Sequence, residues 1–289
     1  MPARTRPVLG DAASRSLDIG AARVGNRAPL IFIAGLCALE SGELLDRVGR
    51  HLKRVFETAG ASWILKCSFD KANRTSLKSF RGPGLSKGLE LFAKIKKALG
   101  VPFLTDVHEA SQAARVARVA DILQIPAFLC RQTDLLVACG RAGKAVNIKK
   151  GQFLSPWDIR NAVEKVESTG NRRILLTERG TTFGYGNLVV DMRSLEIMKR
   201  LGYPVIYDAT HSVQLPGGLG HATGGERAFA APLARAAAAV GVAGIFMETH
   251  PHPDRAKSDG PNSVPLSEVE TIVRSVSAID RLIKNGALL

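Results

Sequence analysis

Eight short apolar runs recur along this chain, at residues 30–37, 63–66, 103–108, 122–128, 145–150, 174–179, 205–211 and 245–250, and polar or ionisable residues gather at their C-terminal ends. Continuous hydrophobic runs of this length read as buried parallel strands, because helices cover both faces of a parallel sheet. Helix-like segments separate most of them, for example residues 88–99, 110–119, 157–168, 193–201 and 229–240. Eight strand-then-helix units predict a (β/α)8 barrel, an architecture whose chemistry sits at the C-terminal ends of the strands. The rival arrangement is a doubly wound open sheet. No G-x-G-x-x-G turn follows the first run, which argues against it.

A chain of 289 residues fits one such barrel. No linker, repeat or low-complexity tract divides it. Residues 1–29 read as an N-terminal extension with a short hairpin around Gly20 to Gly25, and residues 30–289 as the catalytic barrel. The formal charge of +14 raises the question of nucleic acid. However, the lysines and arginines are dispersed and aromatics are sparse, so most of this charge reads as a solvated surface. The cations at strand ends are better explained by a site for small polyanions, phosphates or carboxylates.

Four cysteines (Cys37, Cys67, Cys130, Cys139) form no C-x-x-C pair, which points to a reducing cytoplasm. Residues 30–39 imitate the apolar core of a secretory leader. The preceding segment is too long and polar for one, and a strand explains Ile31 to Ile33 better. No run reaches membrane-spanning length, so no membrane association is expected. Asn73-Arg74-Thr75 matches a glycosylation acceptor only formally.

The densest chemistry leaves the second run: Lys66, Lys71, Asn73, Arg74, Thr75 and Ser76 fall within eleven residues. Lysines meet phosphate or carboxylate as point charges, and an arginine beside hydroxyls makes a directional phosphate clamp. An exposed polar loop is the competing reading. Other strand ends repeat the theme, at Lys149 and Lys150 with Gln152, at Glu178 and Arg179, and at Arg131 and Gln132. Anions held from several strands at once imply one or two strongly negative substrates.

A second set is scattered. Cys37, His211, Glu248 and Asp259 follow or end the first, seventh and eighth runs, and thiolate, imidazole and two carboxylates suit a divalent transition metal. Their long spacings make no local motif, and a lone cysteine or histidine is commonly structural. His250 and His252 lie in the same region, and His108 follows Asp106, so spacing alone leaves the ligand choice open.

Taken together, these segments resemble the 3-deoxy-D-manno-octulosonate 8-phosphate synthases. The motifs are residues 66–76, Thr105-Asp-Val-His-Glu109, Gln124-Ile-Pro-Ala-Phe-Leu-Cys-Arg-Gln132, Asn147-Ile-Lys-Lys-Gly-Gln152, Thr177-Glu-Arg-Gly-Thr-Thr-Phe-Gly184, Asp208-Ala-Thr-His-Ser-Val-Gln214 and Met247-Glu-Thr-His250. They run in order over nearly the whole chain from Leu30. The resemblance implies condensation of phosphoenolpyruvate with D-arabinose 5-phosphate and water, in the pathway to the sugar that joins lipid A to outer lipopolysaccharide. It implies a homotetramer of (β/α)8 subunits in a Gram-negative source. By the same resemblance Lys66, Gln124, the backbone at Ala127, Lys149 and Arg179 would grip phosphoenolpyruvate, and Asp106 belongs with the substrate-binding residues. Lys71, Asn73, Arg74 and Thr75 would hold the sugar phosphate, with Arg74 on the phosphate and reaching a neighbouring subunit's site. A cysteine at position 37 marks the metal-dependent form of the family and an asparagine the metal-independent one. Cys37 therefore implies a divalent metal such as Zn, Fe or Mn, with His211, Glu248 and Asp259 as the other ligands. One departure stands out: the family usually has proline where this chain has Leu36.

The chemistry expected is attack of an enol carbon on an aldehyde, addition of water to the adjacent carbon and loss of phosphate. Fixed cations would orient the reactants and stabilise the transient charges. Lys71 is the candidate for protonating the nascent alkoxide, with Asp259 or His211 managing the protons of water. Two other functions compete. One is a heptulosonate 7-phosphate synthase acting on erythrose 4-phosphate, against which Asn73 argues, since that group carries Lys-Pro-Arg-Thr there. The other is a non-enzymatic basic protein binding nucleic acid, which leaves the thiolate and carboxylates unexplained.

Overall fold

The computed structural model describes residues 14–218 and 223–286; residues 1–13 of the extension lie outside them. The chain opens with an antiparallel hairpin, β1 (Ser16–Ile19) and β2 (Ala22–Gly25), turned at Gly20 with φ of 58°. The barrel follows as β3 (Ile31–Ala38), α1 (Gly42–Ala59), β4 (Trp63–Ser68), α2 (Leu85–Leu99), β5 (Phe103–Asp106), α3 (Ala113–Val116), β6 (Ile122–Ile125), α4 (Thr133–Arg141), β7 (Ala145–Lys149), α5 (Ile159–Glu167) and β8 (Ile174–Glu178). A small antiparallel pair, β9 (Thr181–Thr182) with β10 (Leu188–Val189), then precedes α6 (Arg193–Lys199) and β11 (Val205–Asp208). A second such pair, β12 (Gln214–Leu215) with β13 (Gly224–Gly225), precedes α7 (Ala230–Val240), β14 (Gly244–His250), β15 (Val264–Pro265) and α8 (Val269–Lys284). Strands β3 to β8, β11 and β14 run parallel in sequence order, and β14 pairs with both β11 and β3, so the sheet closes. This is the (β/α)8 barrel expected from the eight apolar runs.

The strands stop where local chemistry stops them. Pro126 offers no N–H to continue β6, and the run through Phe128 becomes a 3₁₀ turn at Ala127–Leu129. The run 205–211 ends as a strand at Asp208, whose carboxylate accepts the N–H groups of Thr210 and His211 and turns the chain. The helix expected over 110–119 is cut to a 3₁₀ turn and the single α-turn of α3, because Arg118 and Val119 donate three residues back and lead directly into β6. Helix α1 shows both end signals: Ser41 Oγ accepts from Leu44 N at 3.1 Å, and Gly60 closes the helix at φ of 60°.

Side-chain alternation within each strand builds two cores. Phe32, Ala34, Leu65, Phe103, Leu123, Val146, Leu176, Tyr207 and Ile245 point outward into the layer under the helices. Ile31, Ile33, Ile64, Leu104, Ile122, Ala145, Leu175, Ile206 and Phe246 point inward and fill the N-terminal half of the barrel. Leu17, Ile19, Ala22 and Val24 of the hairpin join this inner cluster. The hairpin is therefore a stopper beneath the barrel, and it shuts the end opposite the strand C-termini.

Candidate active site

Two residues beyond the inner apolar layer, the same alternation turns polar side chains inward. Lys66 follows Ile64, Asp106 follows Leu104, Gln124 follows Ile122, Asn147 and Lys149 follow Ala145, Thr177 and Arg179 follow Leu175, Asp208 follows Ile206, and Glu248 follows Phe246. All are buried. A hydrogen-bonded girdle ties neighbouring strands together. Ser68 donates to Asp106 at 2.7 Å and Gln124 donates to Asp106 at 2.6 Å. Asn147 donates to Gln124 at 2.9 Å, and Thr177 donates to Asn147 at 2.6 Å. Above it lies a cavity of about 190 Å³, lined among others by Lys71, Asn73, Arg74, Thr75, Asp106, His108, Gln124, Ala127, Lys149, Arg179, His211, Glu248 and Asp259.

The anion-binding candidates occupy distinct positions in this bowl. Arg179 donates to Gln152 at 2.5 Å, to the His211 carbonyl at 3.2 Å and to Gln214. Its pKa is lowered by burial, with Asp208 and Asp259 opposing the shift. Lys149 is paired with Asp208, and its ammonium lies 3.8 Å from the centre of the Phe246 ring. Lys71 reaches Glu248 at 3.9 Å and Asp106 at 4.0 Å. Burial opposes its charge, yet the neighbouring Glu248 and Asp106 carboxylates outweigh burial and hold its pKa above the usual lysine value. Asp106 is held low in turn: burial opposes its charge, and Lys71 and Lys66 overcome it.

Lys66, expected among the groups that grip phosphoenolpyruvate, lies at the base of the site. It is fully buried beneath the cavity, and its ammonium donates to Glu248 at 2.5 Å, to the Cys37 carbonyl at 2.8 Å and to the Leu36 carbonyl at 3.3 Å. An ammonium has three donors, and all three are taken. Lys66 thus braces the end of β3 and the Glu248 carboxylate. Gly35 makes this fit possible, since a Cβ there would lie 1.9 Å from the Lys66 carbonyl oxygen. Beyond Gly35 the pairing of β3 with β4 slips register, and the Leu36 side chain packs into the outer core while Cys37 turns inward. Arg74 lines the cavity and donates to Ser258 Oγ at 2.7 Å.

Several strand-end residues do not join the bowl. Lys150 and Glu178 point outward, behind the barrel wall, where they pair at 3.5 Å. Arg131 and Gln132 are exposed on the loop before α4. His250 pairs with Glu40 at 3.5 Å, accepts the His252 N–H at 3.0 Å, and does not line the cavity. His108 does line it, edge-on to Phe69 at 5.5 Å, with its pKa lowered by burial. The sequence reading assigned no role to Asp208, although it accepts from both Lys149 and His211. The available signal was its parity, two residues beyond inward Ile206.

Cys37, His211, Glu248 and Asp259 do converge. The thiol sulfur and a carboxylate oxygen from each acid lie within 4.8 Å of one another. Cys37 Sγ is 3.1 Å from Asp259 Oδ2, and His211 Nε2 is 3.5 Å from Glu248 Oε2 and 4.0 Å from Asp259 Oδ2. Asp208 engages His211 Nδ1 at 2.8 Å, which leaves Nε2 facing the acids. This is the outer-shell arrangement that orients a metal-binding imidazole. Asp259 sits at φ of 49°, with its carbonyl accepting from Asn262, the Ser263 N–H and Ser263 Oγ. Aspartate tolerates this left-handed backbone better than most residues, and the turn that its carbonyl closes leaves the carboxylate beside Cys37. Burial, then Asp259 and Glu248, push the Cys37 thiol well above its ordinary pKa. A divalent cation would reverse that balance, so the donor set fits the metal its chemistry suggests.

A closed parallel (β/α)8 barrel with buried lysines and arginines around a cavity at its C-terminal rim defines the class. The chain belongs to the DAHP synthetase I family, whose family model matches residues 12–285. Its relatives are narrower than that. It is 56% identical over 271 residues to the 2-dehydro-3-deoxyphosphooctonate aldolase of Syntrophotalea carbinolica, covering 94% of this chain and 98% of the relative. The proteins of that name from Fusobacterium nucleatum (55%; 92% and 98% covered) and Geobacter sulfurreducens (52%; 94% and 100% covered) are similar throughout. Among the described residues, no helix is long and apolar enough to cross a membrane.

Proposed function

We propose that this protein condenses phosphoenolpyruvate with D-arabinose 5-phosphate and water, giving 3-deoxy-D-manno-octulosonate 8-phosphate and inorganic phosphate. The observation that carries the reading is one cavity in which Lys149, Arg179, Lys71 and Arg74 meet His211, Glu248 and Asp259, with the Cys37 thiol 3.1 Å from the Asp259 carboxylate. Lys149, Arg179, Gln124 and the backbone at Ala127 hold the enol phosphate and its carboxylate. Asn73, Arg74 and Thr75, at the mouth of the same cavity, hold the sugar phosphate. Held in this way, the two substrates react as though joined.

C3 of the enol attacks the aldehyde carbon, and a C–C bond forms. The aldehyde oxygen takes a proton from Lys71 Nζ, which the surrounding acids keep charged until then. Water adds at C2 and gives up a proton towards the Asp259 carboxylate, since His211 Nε2 faces the metal set. The hemiketal phosphate then collapses: the C2–O bond to phosphate breaks, the C2 hydroxyl gives its proton to the departing phosphate, and the ketone forms. Cys37, His211, Glu248 and Asp259 would hold a divalent transition metal, which supplies Lewis acidity and orientation when bound. We read the protein as the metal-dependent form, acting as a homotetramer in the cytoplasm, and this reading rests on Cys37 and the family resemblance.

The test is phosphate release from phosphoenolpyruvate with either arabinose 5-phosphate or erythrose 4-phosphate, with and without chelator. Turnover confined to the five-carbon sugar and lost on chelation is expected. Preference for erythrose 4-phosphate would instead make the chain a heptulosonate synthase, and activity untouched by chelator would place it in the metal-independent form.

A further inference from the structure

Lys149 and Lys150 are adjacent, as are Glu178 and Arg179, and strand alternation sends one of each pair into the cavity and the other through the wall. The two outward members meet. Lys150 Nζ lies 3.5 Å from Glu178 Oε1 and within hydrogen-bonding distance of the carbonyls of Leu154 at 3.1 Å, Gly151 at 3.3 Å and Gly180 at 3.5 Å, and of Thr181 Oγ1 at 3.1 Å, among which its three N–H groups are shared. Glu178 accepts the N–H groups of Arg179 at 2.9 Å and Gly180 at 2.7 Å, and Ser194 Oγ donates to it at 2.7 Å. Lys150 is wholly buried and Glu178 is 1% exposed, so substrate reaches neither.

What this pair holds is the pair of loops that carry the anion-binding groups. The Lys150 ammonium gathers the loop after β7, which bears Gln152, and the turn after β8, which starts at Arg179. The Gln152 carbonyl accepts from Thr182 N at 2.9 Å, which stitches the same loops together from the other side. On the cavity side, Gln152 Oε1 in turn takes the Arg179 guanidinium at 2.5 Å. A buried ion pair is weak evidence for stability, since well-packed apolar residues of the same volume often do as well. Its retention here calls for another reason.

We propose that Lys150 and Glu178 are positioning residues for the anion pocket, setting the place of the Arg179 guanidinium and the Gln152 amide from behind the barrel wall. The proposal deepens the functional reading above and assigns the pair to the phosphoenolpyruvate half of the site. Arg74, Asn73 and Thr75 stand on a different loop, so the sugar-phosphate half lies outside the pair's reach.

The experiment compares the unmutated holoenzyme with Lys150→Met/Glu178→Gln, which removes both charges and keeps the volume, and with Ser194→Ala, which trims one bond to Glu178. Steady-state constants are measured for both substrates, together with Tm. If the unmutated protein fails to turn over the two substrates, the functional reading fails and calorimetry with phosphoenolpyruvate alone tests the pair. In an active enzyme the double variant raises KM for phosphoenolpyruvate by roughly 10- to 100-fold, the scale of a misplaced binding group. KM for the sugar phosphate stays within about twofold, and Ser194→Ala shifts the first constant in the same direction by less. Equal rises in both constants, or unchanged constants in a folded double variant, overturn the proposal. Should the double variant not fold, an unchanged phosphoenolpyruvate KM in Ser194→Ala overturns it.

Discussion

Replacing Lys66 with methionine tests the claim that this lysine braces the site and does not grip substrate. The substitution keeps the length of the stem and deletes an ammonium bonded to Glu248 and two carbonyls. Removing one partner of a buried pair costs about 3–5 kcal/mol, because the other charge is left uncompensated. Here Glu248 keeps Lys71 at 3.9 Å and His211 at 3.5 Å, so the low end, about 3 kcal/mol, is expected. With an unfolding entropy of roughly 2.1 cal/mol/K per residue over 289 residues, that lowers Tm by about 5 °C. Calorimetry on chelator-treated protein measures it, so that no cation takes over the carboxylate. Adding Glu248→Gln should recover most of the loss, since the stranded charge is then gone. A Lys66→Met protein as stable as the parent, or a double variant no better than the single, refutes the brace.

Lys71→Met should keep the fold and lower kcat by roughly 10²-fold or more, the scale of a lost general acid, and near-normal turnover removes Lys71 from the proton-transfer role. Asp106, Asp208 and Glu248 all have folded pKa values below their unfolded ones, because nearby lysines and His211 outweigh burial. Their stabilisation is therefore present above about pH 4 and is lost as pH falls through and below that value. Denaturant midpoints should drop steeply from pH 5 to pH 3 in the parent and less steeply in Asp106→Asn; parallel curves contradict the assignment. Ile19→Ala, in the hairpin stopper, should cost about 3 kcal/mol by leaving a cavity at the base of the barrel. Less than 1 kcal/mol in denaturant unfolding would mean the hairpin does not pack as a plug.

The barrel was legible because burial on both faces leaves a continuous apolar signature, and eight repetitions of it admit few closed arrangements. The strand-end chemistry was legible for the same reason: within an apolar run, Lys66, Asp106, Gln124 and Glu248 stand out. Where each points was much less legible. Lys149 and Lys150 are chemically identical neighbours, and Glu178 and Arg179 form an ordinary acid–base pair on paper. Only strand parity decides that one of each faces the cavity and the other the wall, and a run of mixed apolar and polar residues does not announce its register.

Four residues spread from position 37 to position 259 held the right chemistry for a metal, but nothing local distinguished His211 from His250. The tertiary fold separates them, because Asp208 turns the chain so that one imidazole faces Glu248 and Asp259, while the other is drawn to Glu40. Lys66, too, looks from its place in the chain like a hand on the substrate. Packing shows all three of its donors spent on the protein itself. Periodicity thus settles the eight barrel strands, and composition settles which side chains are available to the site. Direction, partnership and distance are set by the closed sheet, since they depend on groups brought together only when the last strand pairs with the first.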